Sequence, residues 1–335
     1  MPINRQVRLA VRPSGLPKNS DWELTSEPVS SPGPGQFVVA ISHLSIDPAM
    51  RGWMNAAPSY IPPVELGAVM RAGGIGQVTA SAHAEFTPGD YVYGTFGVQE
   101  YAVSDGAGVL RLDTALAKPT AYLGALGMTG LTAYFALLDV GRIKAGETVV
   151  ISAAAGAVGS AAGQIARIKG CRVIGIAGGA EKCSMLVDEL GFDAAIDYKA
   201  TDVRAALREH APHRVDVYLD NVGGDILDAV LTRLARSARI IICGAISQYN
   251  AARVQGPANY LALLVARASM TGMVIFDYQD QFPQATAELA QWLRAGQLVS
   301  HEHIVHGNIT DFPDALLMLF AGANTGKLIL AIRPD

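Results

Sequence analysis

Val149-Val150-Ile151-Ser152-Ala153-Ala154-Ala155-Gly156-Ala157-Val158-Gly159-Ser160-Ala161-Ala162-Gly163 reads as a buried strand that enters an A-x-x-G-x-x-G turn and leaves as a small-residue helix. In such a turn Gly156 lets the backbone approach a pyrophosphate, Gly159 lets the helix pack close to the strand, and the helix N-terminus offers unpaired N–H groups to phosphate. Ala153 stands where the strict fingerprint has glycine. Alone, the pattern is also that of an ordinary tight βα turn; what lies around it makes it a dinucleotide site.

Working outward, short apolar strands are expected at Thr148–Ser152, Arg172–Ile176, Ala194–Asp197, Val215–Asp220, Ile240–Cys243 and Met270–Phe276. Helices are expected between them at Val158–Lys169, Glu181–Leu190, Val203–His210, Asp225–Leu234 and Tyr260–Arg267, with another at Gln284–Ala295. Strands alternating with helices build a parallel sheet covered on both faces, and six strands make one doubly wound unit. Before this unit, Pro and Gly punctuate β-type runs such as Gln36–Ser42 and Asp90–Gly94, which predicts an irregular β-rich domain. The tail, with a helix near Asp311–Ala321 and a strand at Lys327–Ile332, follows the sixth strand and is expected to return to the first domain. The reading is α/β: a β-rich domain over residues 1–123, completed by 300–335, and a nucleotide-binding domain over 124–299.

An NAD site places an acid at the end of the second strand, about 20 residues beyond the turn, to hold the ribose hydroxyls. Here that point is Ile176-Ala177-Gly178-Gly179, without an acid, and Lys182 follows. Room and positive charge suit a 2′-phosphate, so NADP(H) is the expected cofactor; the plain alternative for Lys182 is a solvated helix lysine beside Glu181. Tyr198, past the third strand, is placed to cover the same phosphate or simply to pack. The fourth and fifth strands end in Asp220-Asn221-Val222-Gly223-Gly224 and Cys243-Gly244-Ala245-Ile246-Ser247, small and polar groups where ligands of open α/β sheets bind. Read alone, Asn221 would supply left-handed loop geometry and Gly244 a turn.

The 335 residues suit two domains and a cleft between lobes. Lys+Arg 26 against Asp+Glu 30 gives a net charge of −4, which excludes a basic field for nucleic acid or anionic lipid. Cys171, Cys183 and Cys243 show no paired spacing, and no long uncharged apolar run or signal segment appears, so a cytoplasmic protein without a membrane span is expected. Zinc needs three or four gathered Cys, His or acidic ligands. The cysteines supply no such set, and His301, His303 and His306 stand in no acid-rich or thiol context. Without a Lewis acid, conjugate reduction is the chemistry expected: hydride reaches the β-carbon of an enone, and neutral donors such as tyrosine steady the charge on oxygen.

At this point the sequence resembles a known family. Gly127-Met128-Thr129-Gly130-Leu131-Thr132-Ala133-Tyr134-Phe135, the Ala153–Gly159 turn, Asp220–Gly224 and Cys243–Asn250 are similar to the zinc-free medium-chain dehydrogenase/reductases. So are Asp47-Pro48-Ala49-Met50-Arg51-Gly52, Gly256-Pro257-Ala258-Asn259-Tyr260 and Asn324-Thr325-Gly326-Lys327. The branch it resembles holds the NADPH-dependent 2-alkenal, prostaglandin and curcumin reductases. The resemblance implies a GroES-like catalytic lobe beside a Rossmann lobe, and a homodimer. It implies NADP(H) contacts from Met128, Thr129, Ala155, Gly156, Ala157, Val158, Gly178, Lys182, Tyr198, Asn221, Cys243, Gly244, Ala245, Ile246, Ser247, Tyr249, Met273, Val274, Ile275 and Asn324. It also implies that the enone oxygen is held by a ribose hydroxyl and a tyrosine; by position Tyr260 is the candidate, with Tyr60 of the Asn55–Pro63 loop as a second donor.

The expected activity is NADPH-dependent reduction of the C=C bond of α,β-unsaturated aldehydes and ketones. A quinone reductase of the same superfamily and a non-catalytic NADPH-binding protein are the alternatives. Trp53, Met54, Pro58, Tyr60, Pro62, Pro63, Tyr260 and Leu261 make the presumed pocket apolar and aromatic, so a small hydrophobic enone or enal is the expected substrate.

Overall fold

Alternating burial organises the first third of the chain. In Phe37–Ser45 the residues turned inward are Phe37, Val39, Ile41 and Leu44, all fully buried. In the computed structural model, which describes residues 2–333, the strands there are β1 (Ile3–Leu9), β2 (Trp22–Pro28), β3 (Phe37–Ser45), β4 (Gly74–Ser81), β5 (Tyr91–Gly94), β6 (Tyr101–Ser104) and β7 (Leu110–Arg111). A short helix α1 (Ala49–Trp53) leaves β3 and leads into the irregular stretch that carries Tyr60.

The middle of the chain alternates: α2 (Met128–Phe135), β8 (Thr148–Ser152), α3 (Ala157–Ile168), β9 (Arg172–Ala177), α4 (Ala180–Ser184), β10 (Ala194–Asp197), α5 (Val203–His210), β11 (Val215–Asp220), α6 (Gly224–Leu231), β12 (Leu234–Ile242), α7 (Ala262–Ala266), β13 (Ser269–Gly272) and α8 (Phe282–Arg294). The chain then closes with β14 (Glu302–His306), α9 (Phe312–Phe320) and β15 (Lys327–Ala331).

Two compact units result: Met1–Leu123 with Glu302–Asp335, and Gly124–His301. In the first, β14-β15-β3-β4-β5-β7 form one sheet, β6 pairs with β3, and β1 and β2 form a hairpin sheet. Its core joins Val7, Leu9, Phe37, Ile41 and Met70 to Ile309, Phe312, Leu316 and Leu328, so the C-terminal segment completes the core of the N-terminal strands. Each such side chain contributes about 1.5–3 kcal/mol on burial.

In the second unit the sheet order is β10-β9-β8-β11-β12-β13, with parallel pairings throughout. Renumbered within the unit, this is 3-2-1-4-5-6, the order of a Rossmann fold, in which the chain reverses direction beside the first strand and leaves ligand space at the strand C-termini. The fold is therefore α/β, a doubly wound Rossmann sheet together with a β-rich GroES-like unit.

Several expected boundaries move, each for a local reason. β12 starts six residues before the expected Ile240, because Leu234 pairs with Val215 across a register shift and Ser237 takes a positive φ of 62°. β13 stops at Gly272, where its single neighbour β12 ends at Ile242, and the expected strand residues beyond it form a 3-10 turn over Ile275–Gln281. The expected helix Glu181–Leu190 is α4 followed by a π-helical turn, Met185–Glu189. The expected helix at Tyr260–Arg267 shortens to Ala262–Ala266 and ends at a left-handed Arg267.

Candidate active site

The first strand of the Rossmann unit is inside along its whole length: Val149, Val150 and Ile151 have no exposed surface. It exits into Ala153 with φ at 47°, a left-handed conformation that an alanine adopts at a cost of about 1–2 kcal/mol. Gly156 is the N-cap of α3, and no side chain caps this helix. Its first-turn N–H groups, those of Ala157, Val158 and Gly159, are thus left for an anion rather than for a capping hydroxyl or carboxylate. Gly159 has no room for a side chain: a Cβ there would lie 2.4 Å from the Ala153 carbonyl oxygen and 2.7 Å from Ala154 Cα. At Gly156 a Cβ would meet only the Ala153 oxygen, at 3.2 Å.

β9 ends in Ala177, and Gly179 follows with φ at 101°. Asp197, at the end of β10, closes this turn. Its Oδ1 accepts from the N–H of Gly179 at 2.8 Å and of Lys199 at 2.9 Å, and these bonds, that of Gly179 foremost, hold the carboxyl below its ordinary value. The acid missing from the end of β9 is therefore present one strand over, with its carboxylate occupied by backbone. Tyr198 and Lys199 lie across Gly178, where a Cβ would meet the tyrosine ring at 2.8 Å and Lys199 Cε at 2.9 Å. Lys182 sits on α4, and burial first, then the charge of Lys199, pull its ammonium below the ordinary lysine value, against the opposing pull of Glu181. Two cations thus share the end of β9. Lys199 is absent from the sequence reading; its neighbour Tyr198 carried the signal, since both follow β10 by one turn.

The ends of β8, β11 and β12 are knitted together by Asp220, which is 1% exposed. Its Oδ1 accepts from Tyr218 Oη at 2.8 Å, Ser152 Oγ at 3.1 Å and the N–H groups of Val222 and Gly223. Its Oδ2 is buried without a partner. Asn221 donates its N–H to Ser152 Oγ and its side-chain Nδ2 to the Ser152 carbonyl, which leaves the amide oxygen as the free acceptor of that side chain. Asn221 is not left-handed; the positive φ values fall at Gly223 and Gly224. The next strand end is tied to the same turn, with Cys243 and Gly244 donating to the Asp220 carbonyl and Ile246 to that of Asn221. Ser247 bonds Val222 O through both its N–H and its hydroxyl, while Ala245 N–H donates to Tyr249 Oη. Burial and the nearby Asp220 carboxylate push the Cys243 thiol up to about 12.

On the same unit, Met128 and Thr129 open α2, and Thr129 Oγ1 donates to the Gly124 carbonyl at 3.0 Å. Met273 donates its N–H to Ile242, which carries Met273, Val274 and Ile275 past the end of β12. Tyr260 is 59% exposed just ahead of α7. The segment before it is held by Asp228, whose carboxylate accepts from the N–H groups of Ala258 and Asn259.

Tyr60 and Asn324 belong to the other unit. Tyr60 is 56% exposed in its loop. Asn324 is buried and donates to Gly326 O in the turn before β15. That turn is anchored by Lys327, fully buried, whose Nζ donates to Ile46 O at 2.9 Å and to Asp47 Oδ1 at 2.6 Å.

Two family models match: one described as the N-terminal domain of oxidoreductase over residues 5–112, and one described as zinc-binding dehydrogenase over 157–291. Zinc does not fit the residues present. Among the described residues no group of three His, Cys, Asp or Glu side chains is placed to hold a metal ion, and the Cys171 thiol is turned to the Lys144 carbonyl. The chain is 40% identical to the NADPH-dependent curcumin reductase of Escherichia coli, over 99% of this chain and 98% of that one. It is 37% identical to the NADP(+)-dependent 2-alkenal reductase of Nicotiana tabacum, over 99% and 98%. The crystal structure of CurA from Vibrio vulnificus in complex with NADPH superposes with a TM-score of 0.93 at 43% identity, covering 99% of this chain and all of that one. With this strand order, this glycine turn and these relatives, the chain belongs to the medium-chain dehydrogenase/reductase family, in the branch of the curcumin, 2-alkenal and prostaglandin reductases.

Proposed function

We propose that the chain is an NADPH-dependent reductase of the C=C bond of α,β-unsaturated aldehydes and ketones. The observation that carries the cofactor half is the pair Lys182 and Lys199 beside an acid-free strand end, next to an uncapped helix N-terminus that suits a pyrophosphate. The substrate half is supported by relatives named for curcumin and 2-alkenals. When bound, NADPH supplies the hydride that the β-carbon of the enone receives. The chain's own part is to fix the phosphates, through Ala155, Gly156, Ala157, Val158, Gly178, Lys182 and Tyr198, and to accept ribose and nicotinamide contacts along Asn221, Cys243–Tyr249 and Met273–Ile275. Met128, Thr129 and Asn324 complete this set. A tyrosine hydroxyl, Tyr260 first and Tyr60 second, donates to the carbonyl oxygen as negative charge builds there, and solvent protonates the α-carbon.

The test is NADPH consumption with a medium-chain 2-alkenal, with NADH in its place and with a quinone in place of the alkenal, products identified by mass. A saturated carbonyl compound made with NADPH is the expected product. An alcohol with its double bond intact, or turnover of the quinone alone, would reject the proposal. Tyr260→Phe is expected to lower kcat about 10- to 100-fold with little change in NADPH affinity, as loss of a donor engaged in the transition state does; unchanged kcat transfers that role to Tyr60.

We further infer that the chain is a homodimer built on the edge of β13, which among the described residues has one strand neighbour and lies next in sequence to exposed Leu264 and Val265 of α7.

A further inference from the structure

Arg71 sits between two fully buried residues, Met70 and Ala72. The backbone there is pinned on both sides: Met70 donates to Val7 O, while Val98 and Gly97 donate to the carbonyls of Met70 and Ala72. The side chain reaches the loop that carries Tyr60. Its Cζ lies 5.5 Å from the centroid of the Trp53 ring, and Nη1 donates to Pro62 O at 2.9 Å. The same loop is closed at its base by Val64 N–H on Trp53 O. Burial draws the guanidinium below its ordinary value, opposed by the nearby Tyr60 phenol.

What this guanidinium lacks is an acid. Among the described residues no carboxylate lies within ion-pair distance of Arg71, whereas Arg5 meets Glu100 at 2.6 Å and Arg239 meets Glu147 at 2.6 Å. Of the other arginines of this region, Arg51 donates to Pro13 O, Gly15 O and Asn55 Oδ1, and Arg12 donates to Met54 O. Trp53 supplies no acceptor either, since its indole Nε1–H is a donor, itself buried without a partner. With Nη1 occupied by Pro62, the edge left on Arg71 is Nε with Nη2, the two parallel donors that match a carboxylate. A guanidinium fixed by an aromatic face and one carbonyl has already lost much of its side-chain freedom, so a ligand anion meets a preorganised fork.

We propose that Arg71 recognises a carboxylate carried by the substrate, and that the enzyme prefers acidic enones to their neutral counterparts. This rests on the enone-reductase reading for the reaction, and on the structure of the Tyr60 loop for the anion.

The experiment compares 8-oxonon-6-enoate with its methyl ester, which share an enone insulated by four methylenes from the group that differs in charge. The acid is expected to have the higher kcat/KM. Arg71→Met is expected to lower kcat/KM for the acid about 10- to 50-fold and for the ester less than about 3-fold, with the NADPH dissociation constant moved less than twofold. Arg71→Lys, which keeps the charge and loses the fork, is expected to fall between. Equal losses on acid and ester would overturn the proposal, and so would a loss that tracks NADPH affinity, which would put the guanidinium on a cofactor phosphate. Calorimetric binding of the saturated acid, in the presence of NADP+, reads the same contact without hydride transfer. If neither compound is reduced, yet this acid binds about 10-fold more weakly to Arg71→Met than to wild type, the reaction assignment fails and the anion site stands; equal binding removes the site.

Discussion

A 2′-phosphate is the whole difference between NADPH and NADH, and Lys182 and Lys199 are the cations that share the end of β9. Charge-assisted hydrogen bonds of this kind are worth about 1.5–3 kcal/mol each. Lys182→Met is therefore expected to weaken NADPH about 10- to 100-fold and NADH less than twofold, measured as dissociation constants by fluorescence titration. The pH dependence has a definite sign. Because burial and Lys199 lower the pKa of Lys182, its charge is lost on raising the pH before an ordinary lysine loses its own, while the phosphate stays doubly negative. The preference for NADPH over NADH should decline with rising pH on the way to the ordinary lysine range, and less steeply in Lys182→Met. A pH-independent preference in the wild type would take Lys182 away from the phosphate. Little of this balance is visible in the chain order alone. Lys182 stands out there for following an acid-free strand end, but Lys199 becomes its neighbour only when β10 pairs with β9. The carboxylate of Asp197 counts as an available acid until its two backbone donors are known.

The element that carries the site is β8 with its turn and α3, and it was readable because every requirement is local: an apolar run, two glycines three residues apart and a helix of small residues. Gly159 shows how strict that requirement is, since a Cβ would enter the Ala153 carbonyl at 2.4 Å. Gly159→Ala should push α3 off the strand, costing about 2 kcal/mol or more by overpacking and at least 10-fold in NADPH affinity. Gly256→Ala, at a position with open space around it, should change stability by less than about 0.5 kcal/mol. Urea denaturation and NADPH titration of the two variants decide this, and a Gly159→Ala protein as stable and as tight-binding as wild type would contradict the packing described. Elements set by distant partners were less legible. The brace from Ser152 to Asp220 joins residues 68 positions apart, so nothing near either one announces it. The end of β13 depends on where β12 stops, and the start of β12 on a register shift against β11, neither of which leaves a periodicity in the sequence.

At the scale of the molecule, the free edge of β13 is the feature a solitary chain leaves unresolved. An edge strand presents unpaired backbone donors and acceptors, and natural proteins cover, charge or pair such edges. Here Ser269–Gly272 carries no charge, and Leu261, Leu264 and Val265 ahead of it are 60%, 75% and 75% exposed. Apolar side chains grouped beside an open edge are the chemistry of an interface between identical copies, where the same patch meets itself across a two-fold axis. Covering each of them contributes up to about 1.5–3 kcal/mol. A two-fold interface counts every substitution twice, so Leu264→Glu introduces two unpaired carboxylates into it. The variant is expected to raise the dimer dissociation constant at least 100-fold, turning a dimer into a monomer at micromolar concentration by light scattering on a sizing column. The fold of each chain should persist, because Leu264 is exposed in the monomer and takes no part in its core. NADPH binding should therefore survive in the monomeric variant, the residues proposed to hold the phosphates all lying at the ends of β8, β9 and β10 within one chain. A wild-type chain that is monomeric at such concentrations, or a Leu264→Glu variant that remains dimeric, would remove the β13 edge from the assembly.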